Sequence, residues 1–293
     1  MSGTEIDLWL PTVVAFLISM LTSTGGMTGA FVILPFQISE LGYATPGVSA
    51  TNLLYSVVAV PLGAWRFHRE RRLQWGLALT SVLGTAPGLV IGAYIHINYL
   101  PNPRSFKLFA GIVLLALAAK MVTDMIAKRK REAQPIPSDL RVYPVKHSLR
   151  EILYQFDGQT YRVPTVPLVL FSLIVGVVGG MYGSGGAAIL SPYLVAVYGL
   201  PVHSIAGAML FSSWVTAVVG VIVYVVIGTW FAPGGSTLTL CWQLGLALGV
   251  GGLVGIYVGA RLQKIMPAKV IKTILTLGLL LIAGKYIIGF FSG

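Results

Sequence analysis

The chain has 293 residues, of which 56% are hydrophobic and only 10% charged. A soluble domain of this length needs far more charge to cover its surface. The apolar residues instead fall into runs of roughly 18–25, the length an α-helix needs to cross the hydrocarbon of a bilayer. The weak period-2 pattern of a membrane β-barrel is absent, so helices are the expected spanning elements. The net charge of +11 could suggest nucleic acid, but its distribution excludes that reading. Sixteen of the 20 Lys and Arg lie in three polar segments, 66–73, 127–163 and 261–272. That is how cytoplasmic loops are held inside. The opening residues, MSGTEIDLWL, have neither a basic n-region nor a small-residue cleavage site, so no cleavable signal peptide is expected. The single cysteine, Cys241, leaves no internal disulfide and argues against a cysteine metal site.

In chain order, apolar segments run over about 10–41, 49–66, 74–96 and 105–126, then 164–198, 204–229, 239–261 and 269–291. The two sets of four align. At an offset of 157, Gly26, Gly29, Ala30 and Pro35 match Gly183, Gly186, Ala187 and Pro192, and Leu53 matches Leu210. At an offset of 167, Trp75, Gly84, Gly88, Gly92 and Ala93 match Trp242, Gly251, Gly255, Gly259 and Ala260. At 165, Lys107 and Lys120 match Lys272 and Lys285. The expected organisation is an N-terminal membrane repeat (1–126), a cytoplasmic linker (127–163) and a C-terminal membrane repeat (164–293).

The first segment of each half is too long for one span and is interrupted by glycines. Read as a helical hairpin that enters and leaves on one side, it gives each half three full crossings besides the hairpin. An odd number of crossings inverts the second half relative to the first. Loops 66–73, 127–163 and 261–272 then all fall inside, as their charge requires. The expected fold is an all-α polytopic membrane protein of two inverted repeats. Each would be a broken helix or helical hairpin plus three transmembrane helices. Within the linker, Asp157-Gly158 lies between β-prone stretches of 152–164, a hairpin signal. The Gly-x3-Gly-x3-Gly rows of the third segments predict close helix packing.

The chemistry is expected at the two glycine-rich breaks. A helix starting inside a bilayer presents unpaired N–H groups and the positive end of its dipole to an anion. The candidate substrate-binding residues are Thr24, Gly25, Gly26, Thr28 and Gly29 at the first break and Gly183, Ser184, Gly185 and Gly186 at the second. Asn52 and Ser213 join them from the second segments, where helix–helix hydrogen bonding is the rival role. Lys120 and Lys285 read as interfacial anchors or as anion attractors. Only Glu40 and Asp124 among the carboxylates come near the spans. Cation pumping is therefore not expected, and any proton would travel on the substrate itself. His68 and His147 lie in basic loops and His96 and His203 at segment ends, all expected to be solvated or interfacial. No pattern implies a metal, a cofactor or an enzyme's catalytic cluster.

With these residues the chain resembles the TauE/SafE family of sulfite exporters and related anion permeases. The likeness lies in the duplicated glycine-rich segment followed by Pro (Gly25–Pro35, Gly183–Pro192). It continues in the small-residue start of the next helix (Ser49-Ala50-Thr51-Asn52, Ala206-Gly207-Ala208) and in the third helices (Gly84–Ala93, Gly251–Ala260). It covers nearly the whole chain except 127–163. The resemblance implies secondary export or exchange of a small sulfur-containing anion such as sulfite, thiosulfate or a sulfonate like sulfoacetate, across the inner membrane by alternating access. The implied partners are that anion and the bilayer, with monomer and homodimer both open. A passive anion channel and a non-transporting assembly or sensor protein remain the alternatives.

Overall fold

The computed structural model describes residues 7–23, 28–43, 45, 47–100, 102–130, 141–230, 240–262 and 268–291. The protein is an α-helical, multi-pass membrane protein. Its first half contains α1 (Trp9–Ser23), α2 (Ala30–Ser39), α3 (Gly47–Ala59), α4 (Pro61–Arg69), α5 (Trp75–Tyr99) and α6 (Pro103–Lys130). The second contains α7 (Thr165–Tyr182), α8 (Ala187–Tyr198), α9 (Val202–Trp230), α10 (Trp242–Leu262) and α11 (Ala268–Phe291). Among the described residues, five helical stretches are long and apolar enough to cross a membrane: Gly47–Arg69, Trp75–Tyr99, Thr165–Tyr182, Val202–Ile227 and Trp242–Gly259. The first segment of each half is broken, as its length and glycines predict: α1 and α2 are separate helices, and so are α7, which is long enough to span, and the shorter α8.

The glycine rows set how the halves meet. A methyl group at Gly84, Gly88 or Gly92 of α5 would strike the carbonyl oxygen of Val169, Leu173 or Val177 on α7. At Gly251, Gly255 or Gly259 of α10 it would strike that of Thr12, Phe16 or Met20 on α1. The glycine rows are 167 apart and the carbonyl rows 157 apart, the offsets of the sequence alignment. The third helix of each half is thus seated on the first helix of the other. The absent side chains let the backbones touch, and van der Waals contact at that range is a main source of cohesion between helices in lipid.

The same contacts give directions. Numbers rise together along α5 and α7 and along α10 and α1, so each pair is parallel. Leu54 and Val58 of α3 meet Gly245 and Gly249 of α10, again in parallel. Across the centre, Leu53 lies beside Gly220, and Trp214 Nε1 donates to the Val57 carbonyl at 3.2 Å. Phe67 lies beside Gly207, so α3 and α9 are antiparallel. On the flank α6 and α11 are antiparallel, with Gly111 against Tyr286 and Ile287, and Arg104 donating to the Phe290 carbonyl at 2.9 Å. These directions put exposed Trp9, Trp242 and Tyr99 at one end of the bundle, and exposed Trp65 and Trp75 at the other beside the arginines of 66–72. Two aromatic girdles, with the basic residues beyond one of them, mark two membrane interfaces.

Outside the helices, β1 (Val142–His147), β2 (Glu151–Phe156) and β3 (Gln159–Pro164) form an antiparallel sheet in the order β1-β2-β3. The expected hairpin is β2–β3, closed by Asp157 (φ 50°) and Gly158 (φ 73°). Strand β1 extends it. Alternation along the strands buries Val142, Ile152, Tyr154, Phe156 and Val163. They pack on Leu73 and Leu77 where α5 begins, Leu168 where α7 begins, and Leu200 and Ile205 where α9 begins. Polar links complete the attachment. Val142 N–H donates to the Arg71 carbonyl at 2.9 Å, Thr165 Oγ1 donates to the Ser148 carbonyl at 2.8 Å, and Tyr154 Oη lies 3.0 Å from Ser204 Oγ.

Candidate functional site

The second break is built by glycines for two distinct reasons. Helix α7 stops because Gly183 takes a left-handed φ of 74°, and α8 starts from Gly186 at φ 80°. Left-handed backbone is cheap for glycine alone. Gly183 and Gly185 are also hemmed in: a side chain at 183 would overlap Ser49 of α3, and one at 185 would overlap Ser213 of α9.

Ending α7 there strands its last carbonyls, and side chains from the other helices take them. Tyr224 Oη of α9 donates to the Gly180 carbonyl at 2.8 Å, Ser49 Oγ to Met181 at 2.9 Å, and Asn52 Nδ2 to Gly183 at 2.8 Å. The same Asn52 nitrogen donates to the Ala30 carbonyl of α2 at 2.9 Å, and its Oδ1 accepts from Gln37 at 3.2 Å. Asn52 is fully buried and joins the two breaks through its amide. The helix–helix role set beside its candidate binding role is thus the one its side-chain atoms fill. A second link follows from Pro35. Lacking an N–H, it leaves the Phe31 carbonyl without its helical donor, and Tyr182 Oη donates to that oxygen at 2.8 Å.

The amide side is different. In α8 the N–H groups of Ile189 and Leu190 return to the Gly186 carbonyl. Those of Gly185, Gly186, Ala187 and Ala188 have no partner among the described residues. In α2, Val32 and Ile33 return to the Gly29 carbonyl, and the N–H groups of Ala30 and Phe31 have no partner among the described residues. Thr28 and Ser184 are buried with hydroxyls that bond to no described residue, and Ser213 Oγ is fully buried and unpartnered against Gly185. Gly29 sits where a side chain would press on Tyr55 Oη, itself 2.8 Å from Ser19 Oγ. Thr24, Gly25 and Gly26 lie outside the described residues. The starts of α2 and α8 therefore offer unpaired donors, as an anion-binding concavity does.

The sequence reading missed Tyr182, Tyr224, Ser49 and Gln37, which hold the breaks in place. A signal for Tyr182 existed, since it interrupts a run of glycines. His96 is a correction. It does not lie solvated at a segment end but is 1% exposed, stacked on Phe106 at 4.3 Å between ring centroids and 2.9 Å from Tyr224. The sequence placed it at the edge because α5 runs three residues further than the apolar segment. Lys285 is exposed on α11, which fits its reading as an anchor. Among the described residues, no three His, Cys, Asp or Glu side chains gather as a metal site would require.

The chain is 22% identical over 280 residues to the "Probable membrane transporter protein YunE" of Bacillus subtilis (strain 168), covering 91% of this chain and 93% of that one. No solved structure matches it. The model of the sulfite exporter TauE/SafE family matches residues 12–286, nearly the full length, and the chain with its paired helix breaks belongs to that family.

Proposed function

We propose that this membrane transporter carries a small sulfur-containing anion, namely sulfite, thiosulfate or a sulfonate such as sulfoacetate, out across the cytoplasmic membrane. The observation that carries the reading is the set of unpaired donors where α2 and α8 begin. The carbonyls of Gly180, Met181 and Gly183 are capped by side chains, while the N–H groups of Gly185 to Ala188 and of Ala30 and Phe31 have no partner among the described residues. An unpaired amide buried in a membrane costs several kcal/mol by order of magnitude, so it calls for a ligand or water. Thr28, Ser184 and Ser213 would add hydroxyl donors, and the glycines would let an oxyanion approach the backbone. Thr24, Gly25 and Gly26 are assigned to the same site by the repeat.

Alternating access is the proposed mechanism, with two bundles of opposite direction, each drawn from both inverted repeats, rocking about the breaks. It is supported by α1, α3 and α10 sharing one direction and α5, α7 and α9 another, opposed across the α3–α9 contact. A rigid seam between each third helix and the opposite first helix would let these units move as bodies.

The test is efflux from proteoliposomes loaded separately with sulfite, thiosulfate, sulfoacetate and chloride. Saturable flux of one sulfur anion with counterflow is the expected result. Unsaturable flux without counterflow would replace the carrier by a channel. No flux from folded protein would remove transport of these anions altogether.

A further inference from the structure

Little in the spanning helices can carry charge. Among the described residues, their buried polar side chains are hydroxyls, the amides of Gln37 and Asn52, and one imidazole, His96. This ring lies near the end of α5 that shares an interface with Trp9 and Trp242. Its Nδ1 is 2.9 Å from Tyr224 Oη. The single hydrogen of that hydroxyl is already given to the Gly180 carbonyl, 2.8 Å away. The Tyr224 oxygen is therefore the acceptor for His96, so Nδ1 carries the ring hydrogen and Nε2 carries the lone pair. One hydroxyl thus connects a titratable ring to a carbonyl stranded by the α7 break.

We propose that His96 is the proton site of transport: Nε2 takes up a proton when an anion occupies the unpaired amides of the break, and the two cross together. This rests on the anion reading above. Burial disfavours an imidazolium unless a negative charge accompanies it. Among the described residues, the groups facing the ring supply none. From α9 it meets Tyr224, from α6 Phe106, and through Tyr224 the Gly180 backbone of α7. On α6, Lys107 follows Phe106, and Arg104 is turned to the Phe290 carbonyl on α11. Two terms favour the cation. One is the negative end of the α7 dipole, reached through Tyr224. The other is an anion at the start of α8, on the far side of the same break. Without the anion, the charged ring is buried and uncompensated. With it, each charge raises the affinity for the other, and by linkage the effect is reciprocal. Protonation forms one N–H bond at Nε2 and breaks one O–H bond of a hydronium ion on the aqueous side, and the Nδ1–H bond to Tyr224 becomes charge-assisted.

The test compares wild type, His96→Gln and Tyr224→Phe in proteoliposomes, with thiosulfate, sulfoacetate and sulfite as separate probes. Glutamine retains a donor for Tyr224 but cannot titrate. For the probe that is carried, a gradient acid outside, which drives protons inward, should accelerate wild-type uptake. His96→Gln should lose that acceleration and keep anion–anion counterflow, and Tyr224→Phe should shift the pH of half-maximal uptake. In weakly buffered detergent solution, addition of the carried anion should draw protons onto the wild type, read with a pH dye, and none onto His96→Gln. A His96→Gln protein that keeps the gradient response, or loses counterflow with it, overturns the assignment. Wild-type counterflow with no gradient response overturns it too and leaves anion transport standing. A wild type with neither overturns the transport reading as well.

Discussion

Asn52 Nδ2, in the first half, is hydrogen-bonded to the Gly183 carbonyl of the second at 2.8 Å and to the Ala30 carbonyl of its own half at 2.9 Å. One buried amide therefore holds the two helix breaks side by side. Leucine at this position is close in size but supplies no donor. Asn52→Leu leaves the Gly183 oxygen buried and unpaired, at a cost of about 1–3 kcal/mol. Thermal unfolding in detergent should show a clearly lowered midpoint, with flux lost. An unchanged midpoint would mean that the bridge does not hold the breaks.

The two glycine seams have the same register, so matched substitutions should do matched damage. Gly88→Val and Gly255→Val each drive a side chain into a carbonyl of the opposite half, Leu173 in one case and Phe16 in the other. Both should abolish a monodisperse peak in size-exclusion chromatography. Gly284→Ala, with nothing within 4 Å, is the control and should elute as wild type. If only one valine variant fails, the seams are not equivalent.

At the site, Gly185→Val drives a side chain into Ser213, from a residue that carries one of the unpaired amides. Flux should vanish while the protein still inserts in the membrane. Ser184→Ala removes one hydroxyl donor, and apparent affinity for the carried anion should fall about fivefold, the equivalent of about 1 kcal/mol. Normal kinetics in both variants would sink the proposed site.

The sheet is held mainly by apolar contact. Ile152→Ala deletes part of a fully buried side chain and should cost about 2–5 kcal/mol locally. Tyr154→Phe loses one hydrogen bond to Ser204 and should cost about 1 kcal/mol. Proteolysis within 142–164 should accelerate strongly in the first variant and slightly in the second. Equal rates would show that the strands are not anchored through this face.

Glu70 gives a pH dependence at the turn after α4. Burial pushes its carboxyl upward, but Arg66 at 2.8 Å and Arg72 at 3.0 Å outweigh that and hold it below the usual carboxylate range. A depressed folded pKa means stabilisation that is present above the unfolded value and lost as pH falls through the folded one. The unfolding midpoint should therefore drop on acidification below about pH 4. In Glu70→Gln that part of the drop should be missing. Parallel pH profiles for the two proteins would show that the pair of bridges contributes nothing.

The sequence revealed the large features because they repeat. Glycines at every fourth position in two segments, and a Pro at the same offset after two glycine runs, marked the seams and the breaks before any contact was known. The β2–β3 hairpin was legible from Asp157-Gly158. Strand β1 was not, since Tyr143-Pro144-Val145 has no clear alternation and its pairing depends on β2. Tyr224 and Ser49, which cap α7, and Tyr182, which caps the Phe31 carbonyl of α2, escaped for a related reason. Each acts across a distance of tens to hundreds of residues, and no local pattern distinguishes a tyrosine that caps a distant carbonyl from one that packs. For Asn52 the sequence leaves a binding and a helix–helix role open, and only the contacts reveal which groups it joins.

The exchange of partners between the halves bears on how the protein is made. When α5 leaves the ribosome, the helix on which it will rest, α7, has not been synthesised, and α1 must likewise wait for α10. The N-terminal half therefore spends part of biogenesis in lipid with its glycine row uncovered. A chain arrested after α6 should be a substrate for membrane quality control rather than a stable half-transporter. Supplying residues 141–293 as a separate polypeptide should rescue it, because every seam it lacks lies on that piece.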